Sequence, residues 1–291
     1  MAFTGHQTQE MVIIKQSSHL RDFMLRQRAA GLITGFVPTM GALHAGHLEL
    51  VKTAASLCNV TIVSIFINPT QFNDPGDFKK YPQTLDRDIL LLEKSAASVL
   101  FIPDVENVYH SGLENLEKYN LDYLETILEG KYRPGHFQGV CQVMSRLLQL
   151  VDPDKLLMGQ KDYQQCMVIK KLIEIAGLKT ELITCPTVRE ADGLAMSSRN
   201  MRLPASDRSL APLIYQVLQT AAENIVSGDL SFLRRQAVAT LQESGFRPDY
   251  FEFAEAATLE PVKSWDRKQR LVILVAAFLG EIRLIDNLLV A

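Results

Sequence analysis

The sequence predicts an α/β fold: a Rossmann-like, doubly wound parallel sheet with a smaller C-terminal α+β domain. Three observations carry this. Short runs rich in Val, Ile, Leu and Phe recur through the first two thirds of the chain, often without polar alternation, as in strands covered on both faces. Longer segments with helical apolar spacing lie between them, and strand–helix–strand at this spacing argues for parallel crossovers. After about residue 186 the order becomes helices and then three strands.

The predicted parallel strands are 33–37, 60–67, 99–102, 155–158 and 181–184. The helical segments include HLELVKTAASL from His47 and LDRDILLLEKSA from Leu85. In 137–151, apolar residues at 140, 143, 144, 147, 148 and 151 make a stripe on one face. Further on, 207–226 and 232–242 read as helices, and 250–254, 271–278 and 282–285 as strands, with FRPD and LGEI as turns. A domain boundary is expected near Thr187, giving domains 1–186 and 187–291. The polar stretch 107–120 reads as a surface loop or lid.

The 291 residues suit one large domain or two. Hydrophobic residues are 47% and charged residues 22%, ordinary for a globular chain. The net charge of −3 gives no global basic field for nucleic acid, so any anion site must be local. Cys58, Cys141, Cys166 and Cys185 form no CxxC motif and are expected as reduced thiols. The segment MAFTGHQTQE lacks the apolar core of a signal peptide, and no apolar run reaches membrane-spanning length. A soluble cytoplasmic protein is expected.

In an open parallel sheet, ligands sit beyond the carboxyl ends of the strands. VPTMGALHAGH (37–47) leaves the first strand there. Gly41 and Gly46 permit positive φ or close approach of a ligand. His44 and His47, beside a helix start with its free N–H groups, suit an anion. A metal pair or two surface histidines are the plain alternatives, and HxxH alone is weak. Asn68 and Gln71, in INPTQF after the second strand, could bind a hydroxyl or carboxylate, or merely cap a loop. GKYRPGHFQGV carries Lys131, Arg133 and His136 before a helix, suited to a carboxylate or phosphate or else a solvated basic loop. In GQKDYQQ, Gly159 gives a turn and Lys161 is a mobile cation for phosphate oxygens. Asp162 could accept from a ribose, sit near Mg²⁺ or cap a helix. Ser197, Ser198 and Arg199 could clamp a phosphate, although such a triplet also arises by chance.

Taken together and in order, VPTMGALHAGH, FINPTQF, YRPGHFQGV, GQKDYQQ and MSSRN closely resemble the pantothenate synthetase (pantoate–β-alanine ligase) family, over about residues 12–289. The HxGH element alone is shared with the wider nucleotidyltransferase superfamily, and MSSRN corresponds to its KMSKS-type loop. The resemblance implies ATP contacts at Met40, Gly41, Ala42, Leu43, His44, Ala45, Gly46 and His47, with His47 as proton donor. It implies further ATP contacts at Gly159, Gln160, Lys161, Asp162, Val188, Met196, Ser197, Ser198 and Arg199. Gln71 is expected on pantoate and β-alanine, and Gln165 on pantoate. Asn68 and Arg133 complete the expected substrate contacts, and His47, His44, Lys161 and Arg199 the catalytic set.

The implied domain roles are ATP and pantoate binding for 1–186, and a closing MSSR loop in 187–291. The implied reaction is ATP-dependent condensation of pantoate with β-alanine through a pantoyl adenylate, releasing pyrophosphate and AMP. Mg²⁺ is expected mainly on the ATP phosphates, and a homodimer is implied. Two departures stand out. Gln160 replaces the family's usual Glu, a change expected to face solvent. The thin acidic content of LDRDILLLE argues against a Mg²⁺ role for Asp88. Rival readings are a nucleotidyltransferase with a phosphorylated acceptor, a non-catalytic nucleotide-binding module and a metal-binding HxxH protein. The uncharged Asn68, Gln71 and Gln165 weigh against a phosphorylated acceptor.

Overall fold

The computed structural model describes residues 10–72, 75–110 and 112–290. The polar segment 1–9, Asn73 and Asp74 of the NDPG turn, and Ser111 within 107–120 lie outside these described residues. The chain forms two compact units. The first holds the chain up to Lys118 with Gly139–Met158 and Ile175–Cys185; the second holds Tyr119–Gln138, Gly159–Glu174 and the chain from Pro186 on.

Six strands build the sheet of the first unit: β1 (Val12–Ile14), β2 (Thr34–Thr39), β3 (Val60–Ile65), β4 (Val99–Phe101), β5 (Lys155–Gly159) and β6 (Glu181–Cys185). Their spatial order is β1-β4-β3-β2-β5-β6. The pairs β1–β4, β4–β3, β3–β2 and β2–β5 are parallel. Every residue of β3 and β4 is buried, which is why these strands read as continuous apolar runs. β3 stops earlier than its apolar run suggests: beyond Ile65, the Phe66 N–H turns to the Thr39 carbonyl at 3.0 Å. β1 escapes sequence reading because it has three residues, two of them exposed. The core joins Val37, Val63, Leu100 and Leu157 of the sheet to Leu50, Val51 and Ala54 of the helix Ala45–Leu57 and to Leu92 of the helix Leu85–Glu93.

Pro38 sits in β2 between two neighbours, where a missing N–H would normally break a ladder. β2 pairs with β5 at Gly35 and Phe36 only, so the strand has left that ladder when it reaches Pro38. The chain is thereby free to turn at its carboxyl end.

In the second unit the helices Ala205–Leu210, Leu213–Glu223 and Ser231–Glu243 accompany β7 (Gly228–Asp229), β8 (Phe246–Glu255), β9 (Ser264–Trp265), β10 (Leu271–Leu279) and β11 (Ile282–Val290). The antiparallel sheet runs β11-β10-β8. Leu218, Leu241, Phe251, Phe253, Ile273 and Val275 are fully or almost fully buried in its core. Two expectations are corrected. The single helix over 207–226 is two helices, because Pro212 has no N–H to continue the first and clashes with the preceding turn. FRPD is no turn: it lies within β8, with Pro248 beside a break in register between Ala276 and Ala277. The chain instead reverses before it at Gly245 (φ +87°). LGEI does turn, at Gly280 (φ +56°).

Candidate active site

The predicted site residues fall into two sets, one in each unit. In the first unit, the end of β2 is tied down from three sides. The Thr39 hydroxyl donates to the Ser64 carbonyl (2.7 Å) and accepts the Gly41 N–H (3.2 Å). Gly41 (φ +80°) and Ala42 (φ +50°) both adopt left-handed backbone, a strained choice for alanine. That conformation aims the N–H groups of Ala42 and Leu43 at Oδ2 and Oδ1 of Asp88, each at 2.8 Å. The Thr84 hydroxyl also donates to Asp88, which is 1% exposed. Asp88 is therefore the anchor of the loop. Both its oxygens serve backbone amides, which leaves it poorly suited to ligate Mg²⁺.

The helix begins at Ala45, two residues before His47, with His44 as its N-cap. Nδ1 of His44 accepts the Gly46 N–H (3.2 Å), and Nδ1 of His47 accepts the His44 N–H (3.3 Å). The two imidazoles cap the helix reciprocally, as a capping box does with a hydroxyl and a carboxylate. Their ring centroids are 4.0 Å apart. A neutral imidazole that accepts at Nδ1 carries its proton on Nε2, so the cap selects the tautomer of both rings. Gly46 does not have positive φ; it is an ordinary residue of the first helical turn.

Asn68 is 1% exposed, and its carboxamide serves its neighbours. Its amide donates to Thr70 Oγ1 (3.1 Å), Gln71 Oε1 (3.2 Å) and the Gly139 carbonyl (3.3 Å), while its oxygen accepts from the Tyr109 hydroxyl (2.9 Å). Gln71 then reaches Met40, with Nε2 2.9 Å from Sδ. The PTMG and NPTQ motifs thus meet side chain to side chain. Gly139 lets the helix His136–Val151 approach NPTQ closely: a Cβ there would lie 2.2 Å from the Thr70 carbonyl oxygen.

In the second unit, Gly159 has ordinary extended backbone (φ −79°, ψ 134°), so the turn there does not require glycine. A Cβ at Gly159 would meet nothing within 4 Å, leaving open space beside the Gln160–Asp162 turn. Gln160 does not simply face solvent. Its amide donates to Asn287 Oδ1 (3.1 Å), and the Asn287 amide holds the carbonyls of Gln160 and Lys161, each at 2.9 Å. Lys161 Nζ lies 3.9 Å from Asp162. Gln165 is half-buried on the helix Tyr163–Ile175, whereas its neighbour Gln164 is buried and structural. Gln164 accepts the Glu129 N–H (2.9 Å) and donates to the Leu124 and Ile127 carbonyls.

The Val188 carbonyl accepts the Met196 N–H (3.0 Å). Ser197 caps the turn Ser198–Arg202 by accepting the Arg199 N–H (3.3 Å), and Asn200 is tied to the Ala195 carbonyl (3.0 Å). Arg133 lies 3.6 Å from Glu129. Burial pulls its guanidinium below its ordinary range; Glu129 opposes this, the charges of Arg199 and Arg283 add to it, and Asp162 opposes it. The second unit therefore brings Arg133, Asp162 and Arg199 into one electrostatic neighbourhood. Sequence reasoning weighed Asp88 only as a Mg²⁺ ligand and missed its anchoring of the loop, and it overlooked Glu129 and Asn287; all three act through partners more than 40 residues away.

A family model for pantoate-beta-alanine ligase matches residues 12–289. The chain belongs to that family. It is 43% identical to the pantothenate synthetase of Bacteroides thetaiotaomicron over 279 residues, covering 96% of this chain and 98% of the relative. The crystal structure of the pantothenate synthetase of Thermus thermophilus superposes with a TM-score of 0.86 at 38% identity, covering 96% of this chain and 99% of that one. The Francisella tularensis pantoate-beta-alanine ligase, complexed with beta-gamma ATP and beta-alanine, gives a TM-score of 0.80 at 37% identity over 96% and 97% of the two chains. This pantoate–β-alanine ligase is an ATP-dependent enzyme of pantothenate formation that joins an acid to an amine. Among the described residues, no group of three or more His, Cys, Asp or Glu side chains could hold a metal ion, and no helix is long and apolar enough to cross a membrane.

Proposed function

We propose that the ligase performs its reaction in two steps with the residues above in distinct roles. A pantoate carboxylate oxygen attacks the α-phosphorus of ATP, and the bond to pyrophosphate breaks. The amine of β-alanine then attacks the acyl carbon, loses a proton, and displaces AMP. No covalent enzyme nucleophile is needed. Negative charge builds on phosphate oxygens in the first step, and donors placed for it lower the barrier.

His44 and His47 offer Nε2–H donors to the phosphates, with His47 as the proton donor. Met40 to Gly46 line the nucleotide through their backbone. Gly159, Gln160, Lys161 and Asp162 hold ATP, Lys161 at the phosphates and Asp162 near the ribose. Val188 meets adenine, and Met196 to Arg199 meet the triphosphate. Gln71, held by Asn68, binds pantoate and β-alanine; Gln165 and Arg133 bind pantoate. Residues 1–186 supply the groups that bind ATP and pantoate, and 187–291 the MSSR loop. The ATP phosphates would hold Mg²⁺ when it is bound, and its charge would there add to that of Lys161 and Arg199. The enzyme acts in the cytoplasm as a homodimer.

The observation that carries this reading is the reciprocal histidine cap, which selects Nε2–H on both rings of the HxGH element. The test is isotopic. With ¹⁸O in both pantoate carboxylate oxygens, one labelled oxygen should appear in AMP. Label in inorganic phosphate, or none in AMP, would rule out the adenylate.

A further inference from the structure

Glu129 lies on the short helix Leu128–Tyr132 and is 7% exposed, yet it is charged. Arg283 grips it through two hydrogen bonds, from Nη1 to Oε2 at 2.7 Å and from Nη2 to Oε1 at 2.8 Å. The Tyr250 hydroxyl donates to Oε1 at 2.8 Å, and Arg283 Nε is held by Asp249 at 2.7 Å. Its backbone is equally fixed, since the Glu129 N–H donates to the buried Gln164. Gly130 is required beside it, because a Cβ there would come within 2.4 Å of the Glu125 carbonyl oxygen. The ion pair with Arg283 alone would satisfy a structural carboxylate. Glu129 is also 3.6 Å from Arg133, whose guanidinium feels the like charges of Arg199 and Arg283. A guanidinium among like charges turns away unless a fixed anion holds it.

We infer that Glu129 is a positioning residue: locked by Arg283, Tyr250 and Gln164, it holds Arg133 in place to receive the carboxylate of pantoate. This rests on the reading of Arg133 as a pantoate contact. Glu129 touches no substrate itself. It supplies the counter-charge that lets Arg133 be preorganised before the acid arrives.

The test is a kinetic cycle on the purified full chain, using Glu129→Gln, Arg133→Ala and the double variant, with stability followed in parallel. Arg133→Ala should raise the pantoate KM about tenfold or more, the scale of one charge-assisted contact. Glu129→Gln should raise it in the same direction, with kcat and the ATP KM much less affected. The double variant should be no worse than Arg133→Ala alone, because Glu129 acts through Arg133. A purely structural Glu129 would lower the melting temperature and leave the pantoate KM of the folded enzyme unchanged, which would overturn the inference. Independent, multiplying effects in the double variant would also overturn it. If Glu129→Gln does not fold, Tyr250→Phe and Arg283→Lys keep the carboxylate while loosening it. Each should give a smaller rise in the pantoate KM, and wild-type values in both would count against the inference. Should Arg133→Ala leave the pantoate KM unchanged, the Arg133 contact falls and the inference with it. Pantoate-dependent pyrophosphate exchange by that variant would show that the ligase reading itself survives.

Discussion

Two imidazoles that cap the same helix turn have little freedom left, and the role proposed for them depends on that. Each Nδ1 is engaged by a backbone N–H, so each Nε2 bears the proton a phosphate oxygen can accept. His47→Ala should lower kcat by about 10²-fold or more, as for loss of one transition-state donor. Because a helix cap contributes only about 1 kcal/mol, the variant should remain folded, which circular dichroism can confirm beside the assay. Near-normal turnover in folded protein would remove His47 from the chemistry. Gln71→Ala should raise the pantoate KM far more than the ATP KM, as the proposed role of Gln71 as an uncharged contact for the acid requires; equal rises would count against that role. The spacing of the histidines was visible in the sequence, but their capping was not. Histidine is not among the usual N-cap residues, so the helix start reads naturally at His47 and not at Ala45.

At the level of elements, the loop after β2 depends on a carboxylate that comes from a helix 45 residues later. Asp88→Asn keeps the shape but offers one good acceptor where two amides and a hydroxyl compete. An unsatisfied buried donor costs about 1–3 kcal/mol, so chemical denaturation should show a loss of that size. The ATP KM should rise, because the loop that leads into the histidines loosens; an unchanged ATP KM would separate the loop from nucleotide binding. β2 to β5 were legible because burial of their central residues produces apolar runs, and the amphipathic stripe of His136–Val151 likewise; β6, an edge strand with only Cys185 buried, was legible from its short Leu182–Ile183–Thr184 run alone. β1 is too short and exposed to leave such a trace, and Pro248 within β8 imitates a turn because its bulge is set by β10. The order of the motifs disclosed the family, while the anchoring role of Asp88 stayed hidden because its amide partners lie in a distant loop and leave no local signature.

For the molecule as a whole, the group that lay furthest from sequence reading also has a marked consequence for stability. Glu129 and Arg283 are 154 residues apart. Burial pushes the Glu129 carboxyl up, but hydrogen bonds and charge from Arg283, the charge of Arg133 and the Tyr250 hydroxyl hold it down at about 2, against an ordinary 4.5. The folded protein therefore binds this proton more weakly than the unfolded chain. The stability it contributes is present above pH 4.5 and lost as pH falls towards 2, and it amounts to roughly 3 kcal/mol. Denaturation measured across that window should fall more steeply for wild type than for Glu129→Gln; parallel curves would contradict the assignment. Asp286 has the opposite sign, because burial raises it despite Arg189, so the difference between the two proteins is the informative quantity.

Activation of pantoate as an acyl adenylate, before β-alanine reacts, is the step on which every residue role above depends. It is examined without intermediaries by exchange of labelled pyrophosphate into ATP with Mg²⁺ and pantoate present and β-alanine absent. Exchange that requires pantoate, and that falls about 10²-fold or more in His47→Ala, is the predicted result. Bound ATP with an intact fold but no pantoate-dependent exchange would contradict the mechanism, because no reversible adenylate would then be forming.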